Sequence, residues 1–198
     1  GCGACELVCP NNAINLVEEF NAKIGYAKTK YGFSVVSAQL GIGESGSGKV
    51  VAAVKELGNK LSDKKEIMLI DAAAGIGCPV IASVTGSDYV IAVTEPTPSG
   101  FSDLKRALKM VNNFKIPTSI VINKFDINIE YTKKIEKFIL KNNLKLLAKI
   151  KYDKSFTDAL VNLIPLVDYN KKFRKHFQDL SQNLLKEIQQ KSNKQIYS

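Results

Sequence analysis

Residues 89–123 read YVIAVTEPTPSGFSDLKRALKMVNNFKIPTSIVIN. The stretch opens on an apolar, β-branched run, Tyr89–Thr94, and closes on another, Thr118–Asn123. Between them Leu104, Ala107, Leu108 and Val111 recur at helical spacing within Ser102–Asn113. A strand, a helix burying one stripe and a second strand make a βαβ unit. Such a unit implies parallel strands joined by crossovers and a sheet covered on both faces.

The same alternation extends in both directions. Downstream, Glu130–Asn142 sets Ile135, Phe138 and Ile139 on one face, and Lys145–Ile150 reads as a strand. Upstream, Ile67–Asp71 and Phe33–Ser37 read as strands, with a helix over Gly48–Lys60 that aligns Val51, Val54 and Leu57. The fold class expected is α/β, with a mostly parallel sheet and helices on both faces. Three segments follow: residues 1–32, a cysteine-bearing piece with a connector at 17–32; residues 33–170, the α/β core; and residues 171–198, an amphipathic helix. In that helix Phe173, Phe177, Leu180, Leu184 and Ile188 form one stripe. Docking on the sheet is the simplest use of it; a partner or membrane-surface helix is the alternative.

The 198 residues, 45% of them hydrophobic, suffice for one sizeable core. No run of 18 apolar residues suggests a membrane span, and no secretory leader is recognisable, so a cytoplasmic protein is expected. The sequence starts without methionine, as a fragment or processed product would. The net charge of +9 is uneven: residues 1–100 hold 8 Lys and 10 Asp or Glu, whereas residues 101–198 hold 20 Lys or Arg and 9 acids. The lysines are scattered and few aromatics lie among them, which fits solvated helix faces better than a nucleic-acid surface. His176, the single histidine, sits among basic residues and reads as solvated.

Cys2, Cys5 and Cys9-Pro10 match the last three cysteines and the proline of a bacterial ferredoxin run, C-x2-C-x2-C-x3-C-P. The tight spacing lets several thiolates converge on one [4Fe–4S] cluster. This stretch alone supplies too few ligands for a complete one. Cys78 stands apart, either as a buried, inert thiol or as a bridging ligand at a dimer interface.

Gly43-Glu44-Ser45-Gly46-Ser47-Gly48-Lys49-Val50 nearly fits the phosphate-binding pattern G-x4-G-K-[ST], but Val50 lacks the Mg²⁺-binding hydroxyl. Asp71 ends an expected strand, where an aspartate can support Mg²⁺. Asn123-Lys124-Phe125-Asp126 is similar to the N-K-x-D base-reading element of GTPases. Lys49 and Asp71 lie only 22 positions apart, little room for a switch loop and its strands. A glycine-rich helix N-terminus is the plainer reading of Gly43–Lys49.

Taken together, the cysteine run, Ser47-Gly48-Lys49-Val50-Val51, Ile70–Ile81, Thr94–Gly100 and Val121–Lys124 resemble the MinD-type P-loop ATPases that carry an inserted ferredoxin domain. The resemblance implies an ATPase that couples hydrolysis to electron or cluster transfer. Its cofactors would be ATP, Mg²⁺ and a [4Fe–4S] cluster held in part by Cys2, Cys5 and Cys9. It would act as a homodimer with a redox protein or iron–sulfur client, and no nucleic acid is expected. Asp71 would be the switch aspartate and Gly75 the switch glycine. Thr94, Glu95 and Pro96 would approach the nucleotide, and Asn123, with Lys124, would contact the base. The working P-loop would precede this chain, which by itself would be inactive. A non-catalytic redox-partner module and a GTPase using Gly43–Lys49 are the alternatives.

Overall fold

The computed structural model describes residues 3–17, 20–44, 46–62 and 67–196. They form two compact units, Gly1–Ala72 and Ala73–Ser198.

The first unit opens with the short helix α1 (Ala4–Leu7). Strands β1 (Ala22–Lys28) and β2 (Ser34–Leu40) form an antiparallel hairpin, in register from Ala22 opposite Leu40 to Lys28 opposite Ser34. At its turn the hydroxyl and amide of Thr29 both donate to the carbonyl of Phe33, at 2.8 and 2.9 Å. Helix α2 (Gly48–Leu61) packs on β2 and is capped by Ser47, whose hydroxyl accepts the amide of Val50 at 3.4 Å. No described residue of this unit is buried.

Three expectations are corrected here. The supposed connector at 17–32 contains β1. The strand expected at Phe33–Ser37 is instead one arm of an antiparallel hairpin. Residues 67–71 enter no ladder, and Leu69 is 85% exposed. The run Ile67–Asp71 has the composition of an interior strand, but β preference is realised only where a neighbouring strand and a covering face exist.

The second unit contains the parallel sheet. Helix α3 (Cys78–Val84) leads into strand β3 (Val90–Thr94); helix α4 (Pro98–Asn113) crosses to β4 (Thr118–Asn123); helix α5 (Ile129–Lys141) crosses to β5 (Lys145–Ile150). The order is β3-β4-β5, all parallel, with a register shift between Ile120 and Val121 on the β5 side. Successive side chains of a strand face opposite ways, and β4 divides accordingly. Ile120 and Ile122 pack with Leu104 of α4 and Ile135 and Ile139 of α5. Val121 packs with Leu147 and Ile150, against Phe177, Leu180 and Leu184 of α8 (Lys172–Ile196). The short helices α6 (Ser155–Val161) and α7 (Leu166–Tyr169) precede α8, and Phe156 meets Phe173 edge to face at 5.2 Å. Helices thus cover both faces, as expected. The stripe on the last helix docks on the sheet through those three residues. No helix among the described residues is long and apolar enough to cross a membrane.

The α5 start is set by Asn128, whose side-chain oxygen accepts the amide of Tyr131 at 3.0 Å. Asn128→Ala is expected to cost about 1 kcal/mol, the usual value of such a cap. The drop in urea midpoint measures it; an unchanged midpoint would mean water caps the helix equally well.

Candidate functional site at the carboxyl ends of the strands

In a parallel sheet every strand delivers its carboxyl end to the same side, and ligand crevices of open α/β sheets lie there. Three turns gather at that side of the second unit, after Thr94, Asn123 and Ile150.

The first turn is tightly built. Thr94 is buried and its hydroxyl donates to the carbonyl of Gly100 at 3.0 Å. Pro96 is fully buried, and the amide of Thr97 donates to the carbonyl of Glu95 at 2.8 Å. The hydroxyl of Thr97 caps α4 by accepting the amide of Gly100 at 3.0 Å. Gly100 is the residue that permits this: a Cβ there would lie 2.7 Å from the carbonyl oxygen of Glu95.

The second turn begins at Asn123, whose side-chain oxygen accepts the amide of Lys124 at 3.0 Å. Lys124 adopts the left-handed conformation, φ +51°. The next residues are pinned on both sides. Phe125 donates its amide to the carbonyl of Ile150 at 3.1 Å and accepts the hydroxyl of Thr132 at 2.6 Å. Asp126 accepts the amide of Tyr152 at 2.7 Å, which ties the second turn to the third.

The ammonium of Lys124 reaches back to the first turn and lies 3.3 Å from each carboxylate oxygen of Glu95. Both side chains are about two-fifths exposed, at 40% and 43%, so the pair contributes at most about 1 kcal/mol to stability. Its consequence is positional: it links the turns that follow two neighbouring strands.

Five expected site residues, Thr94, Glu95, Pro96, Asn123 and Lys124, are therefore brought together. Gly75 also belongs to the second unit, with φ +99° and open space where a Cβ would stand. Asp71 falls in the first unit, at the end of the unladdered segment. The Gly43–Lys49 loop lies there too, with Ser45 outside the described residues. It ends as a glycine-rich approach to a serine-capped helix.

The sequence reading missed Gly100, Thr97 and the capping role of Asp126. A signal for the first two was present: Thr97 followed by Pro98 is an N-cap followed by proline at the first helical position, which sets the helix start at 98 rather than 102.

In the cysteine segment, Cys2 lies outside the described residues. Cys5 is exposed on α1, and Cys9 is half-buried. The sulfur of Cys9 accepts the amide of Ala13 at 3.3 Å. That amide and the one at Asn11 lower its thiol below the ordinary range. The carboxylate of Glu6 holds the amide of Leu16 at 3.0 Å and steadies the same loop. Among the described residues no three His, Cys, Asp or Glu side chains converge as a metal site. Cys5 and Cys9 are two of the four thiolates that a [4Fe–4S] cluster takes, and Cys78, expected to be buried, is exposed.

No family model matches the chain. An uncharacterized protein of Methanocaldococcus jannaschii is 34% identical over 171 residues, covering 83% of this chain and 61% of its own length. A second uncharacterized protein of the same organism is 33% identical over 154 residues, covering 77% of this chain and 51% of its own length. The chain thus spans between half and two-thirds of these relatives. Among solved structures, the cell division ATPase MinD of Pyrococcus furiosus superposes with a TM-score of 0.56 at 20% identity, over 71% of this chain and 59% of MinD. At that identity the likeness is one of fold alone.

Proposed function

We propose that the second unit forms one wall of a nucleotide pocket in an ATP-hydrolysing protein, with Thr94, Glu95 and Pro96 on one side and Asn123 and Lys124 on the other. The observation that carries this reading is the Lys124–Glu95 pair at 3.3 Å, which joins two strand-end turns in the crevice where open α/β sheets bind ligands. The MinD-like fold supports a nucleotide as the ligand. The amide of Asn123 is the base-reading group, since it offers both a donor and an acceptor. By the family resemblance, Gly75 of the same unit would serve the reacting phosphate, and Asp71 would serve Mg²⁺ only as a reading of the sequence. Hydrolysis in this class rests on positioning and electrostatic stabilisation rather than on covalent chemistry.

The GTPase alternative is disfavoured because Val50 has no hydroxyl to offer Mg²⁺. Coupling to electron or cluster transfer, in a homodimer serving a redox protein or iron–sulfur client, rests on the spacing of Cys2, Cys5 and Cys9 and on the amide-held sulfur of Cys9. It requires ligands from outside this chain.

Titration calorimetry with Mg²⁺ and ATP or GTP tests the reading. The chain as it stands is expected to bind neither tightly, for want of a working phosphate loop. Joined to the additional segment of its relatives, it should bind ATP, and Asn123→Ala should weaken that binding about tenfold, the equivalent of roughly 1.4 kcal/mol. Tight GTP binding by the chain alone, abolished by Lys49→Ala, would overturn the proposal in favour of a GTPase.

A further inference from the structure

A cavity of about 400 Å³ opens where β5 ends and α8 begins, and every residue lining it belongs to the second unit. It is separate from the crevice described above, since neither Glu95, Asn123 nor Lys124 lines it. Its apolar lining is Phe125, Ile150 and Phe173. Its charged lining carries one sign: Lys149, Lys151 and Lys172 contribute, and no carboxylate does among the described residues.

Two of the lysines are held in place. The ammonium of Lys149 lies 5.1 Å from the centre of the Phe125 ring and donates to Glu136 at 2.8 Å. That of Lys172 lies 5.0 Å from the centre of the Phe173 ring and donates to Asp153 at 2.6 Å. An ammonium has three donors, so each keeps two after its carboxylate is served. Lys151 pairs with no acid among the described residues. His176, expected in solvent, lines the same cavity, and its Nε2 is buried with no hydrogen-bond partner among the described residues. A buried polar atom left unpaired is costly and calls for an explanation; a ligand oxygen is a partner that would remove the cost.

We propose that this cavity binds a small phosphate monoester with an apolar body. Three ammoniums suit a dianionic head, which lysine meets as a point charge, and a carboxylate would answer fewer of them. The two phenylalanine rings and Ile150 take the body, and the volume falls within the range of small-ligand pockets. The imidazole of His176 turns to donate to the head group.

The single histidine of the chain gives an unambiguous NMR signal at the site. Phenyl phosphate, added to the full chain at constant pH, should shift the imidazole signals of His176 saturably. Phenol and inorganic phosphate, which carry the body or the head alone, should each bind at least about tenfold more weakly. Lys151→Ala should weaken phenyl phosphate binding about tenfold, the scale of one lost charge-assisted hydrogen bond, and keep its far-UV circular dichroism. Lys154→Ala, which removes a nearby lysine that does not line the cavity, should bind as the original does. The proposal is overturned if the His176 signals stay in place, if inorganic phosphate binds as tightly as phenyl phosphate, or if the two lysine variants behave alike. No nucleotide enters the experiment, so its failure would leave the nucleotide reading where it stands.

Discussion

Gly100→Ala is expected to destabilise the second unit by about 1–3 kcal/mol, the range found when a packed site is overfilled. Two effects oppose each other. Alanine in a helix gains up to about 1 kcal/mol over glycine. Against that, the added Cβ would stand 2.7 Å from the Glu95 carbonyl oxygen, 3.0 Å from the Thr97 hydroxyl and 3.3 Å from the Glu95 amide. Two of those three atoms are backbone, and they cannot swing aside as a side chain does. The clash wins, and the turn that presents Glu95 must move. The bond from the Thr94 hydroxyl to the Gly100 carbonyl is then stretched as well. A lowered urea midpoint by far-UV circular dichroism checks this; the chain has no tryptophan to report it by fluorescence. An unchanged or raised midpoint would show that the turn yields freely and that helix propensity decides the sign.

Ile135→Ala should have the largest effect on stability, about 2–5 kcal/mol, as for other large-to-small changes at sealed positions. Ile135 is 0% exposed and sits in the cluster formed by Leu104, Ile120, Ile122 and Ile139. The position is informative because it is helical. Alanine is the better helix former, so the local backbone gains by a few tenths of a kcal/mol. Whatever is lost measures packing between α5 and the sheet. A loss below about 1 kcal/mol would mean the cluster collapses around the cavity and would contradict a tightly filled core.

The parts of the fold that were legible in the sequence are those whose partners are close in the chain. Thr118–Asn123 and Lys145–Ile150 were recognised as strands residue for residue, because each is an apolar run bounded by turn residues and joined to its neighbour by one helix. β1 escaped notice because Ala-Lys-Ile-Gly-Tyr-Ala-Lys mixes glycine and lysine into the strand. Its pairing comes from the hairpin and not from burial, since no described residue of that unit is buried. Ile67–Asp71 failed in the opposite sense: the side chains suit a strand, but no ladder reaches them.

The site was legible as a set of residues and not as an arrangement. Thr94 and Asn123 could be placed at strand ends from the pattern alone. The contact of Lys124 with Glu95 spans 29 positions, and nothing local in either sequence marks it. The hydrogen bond from the Tyr152 amide to the Asp126 carboxylate spans 26, and it is equally invisible locally.

Lys124 carries a further consequence. A lysine held at φ +51° occupies a conformation that glycine or asparagine adopts at lower cost. Its exposed pairing with Glu95 returns little. The backbone cost at this position is met with a residue whose charge stands between two strand-end turns, so Lys124→Gly would relax the turn and remove the ammonium facing Glu95 in one change.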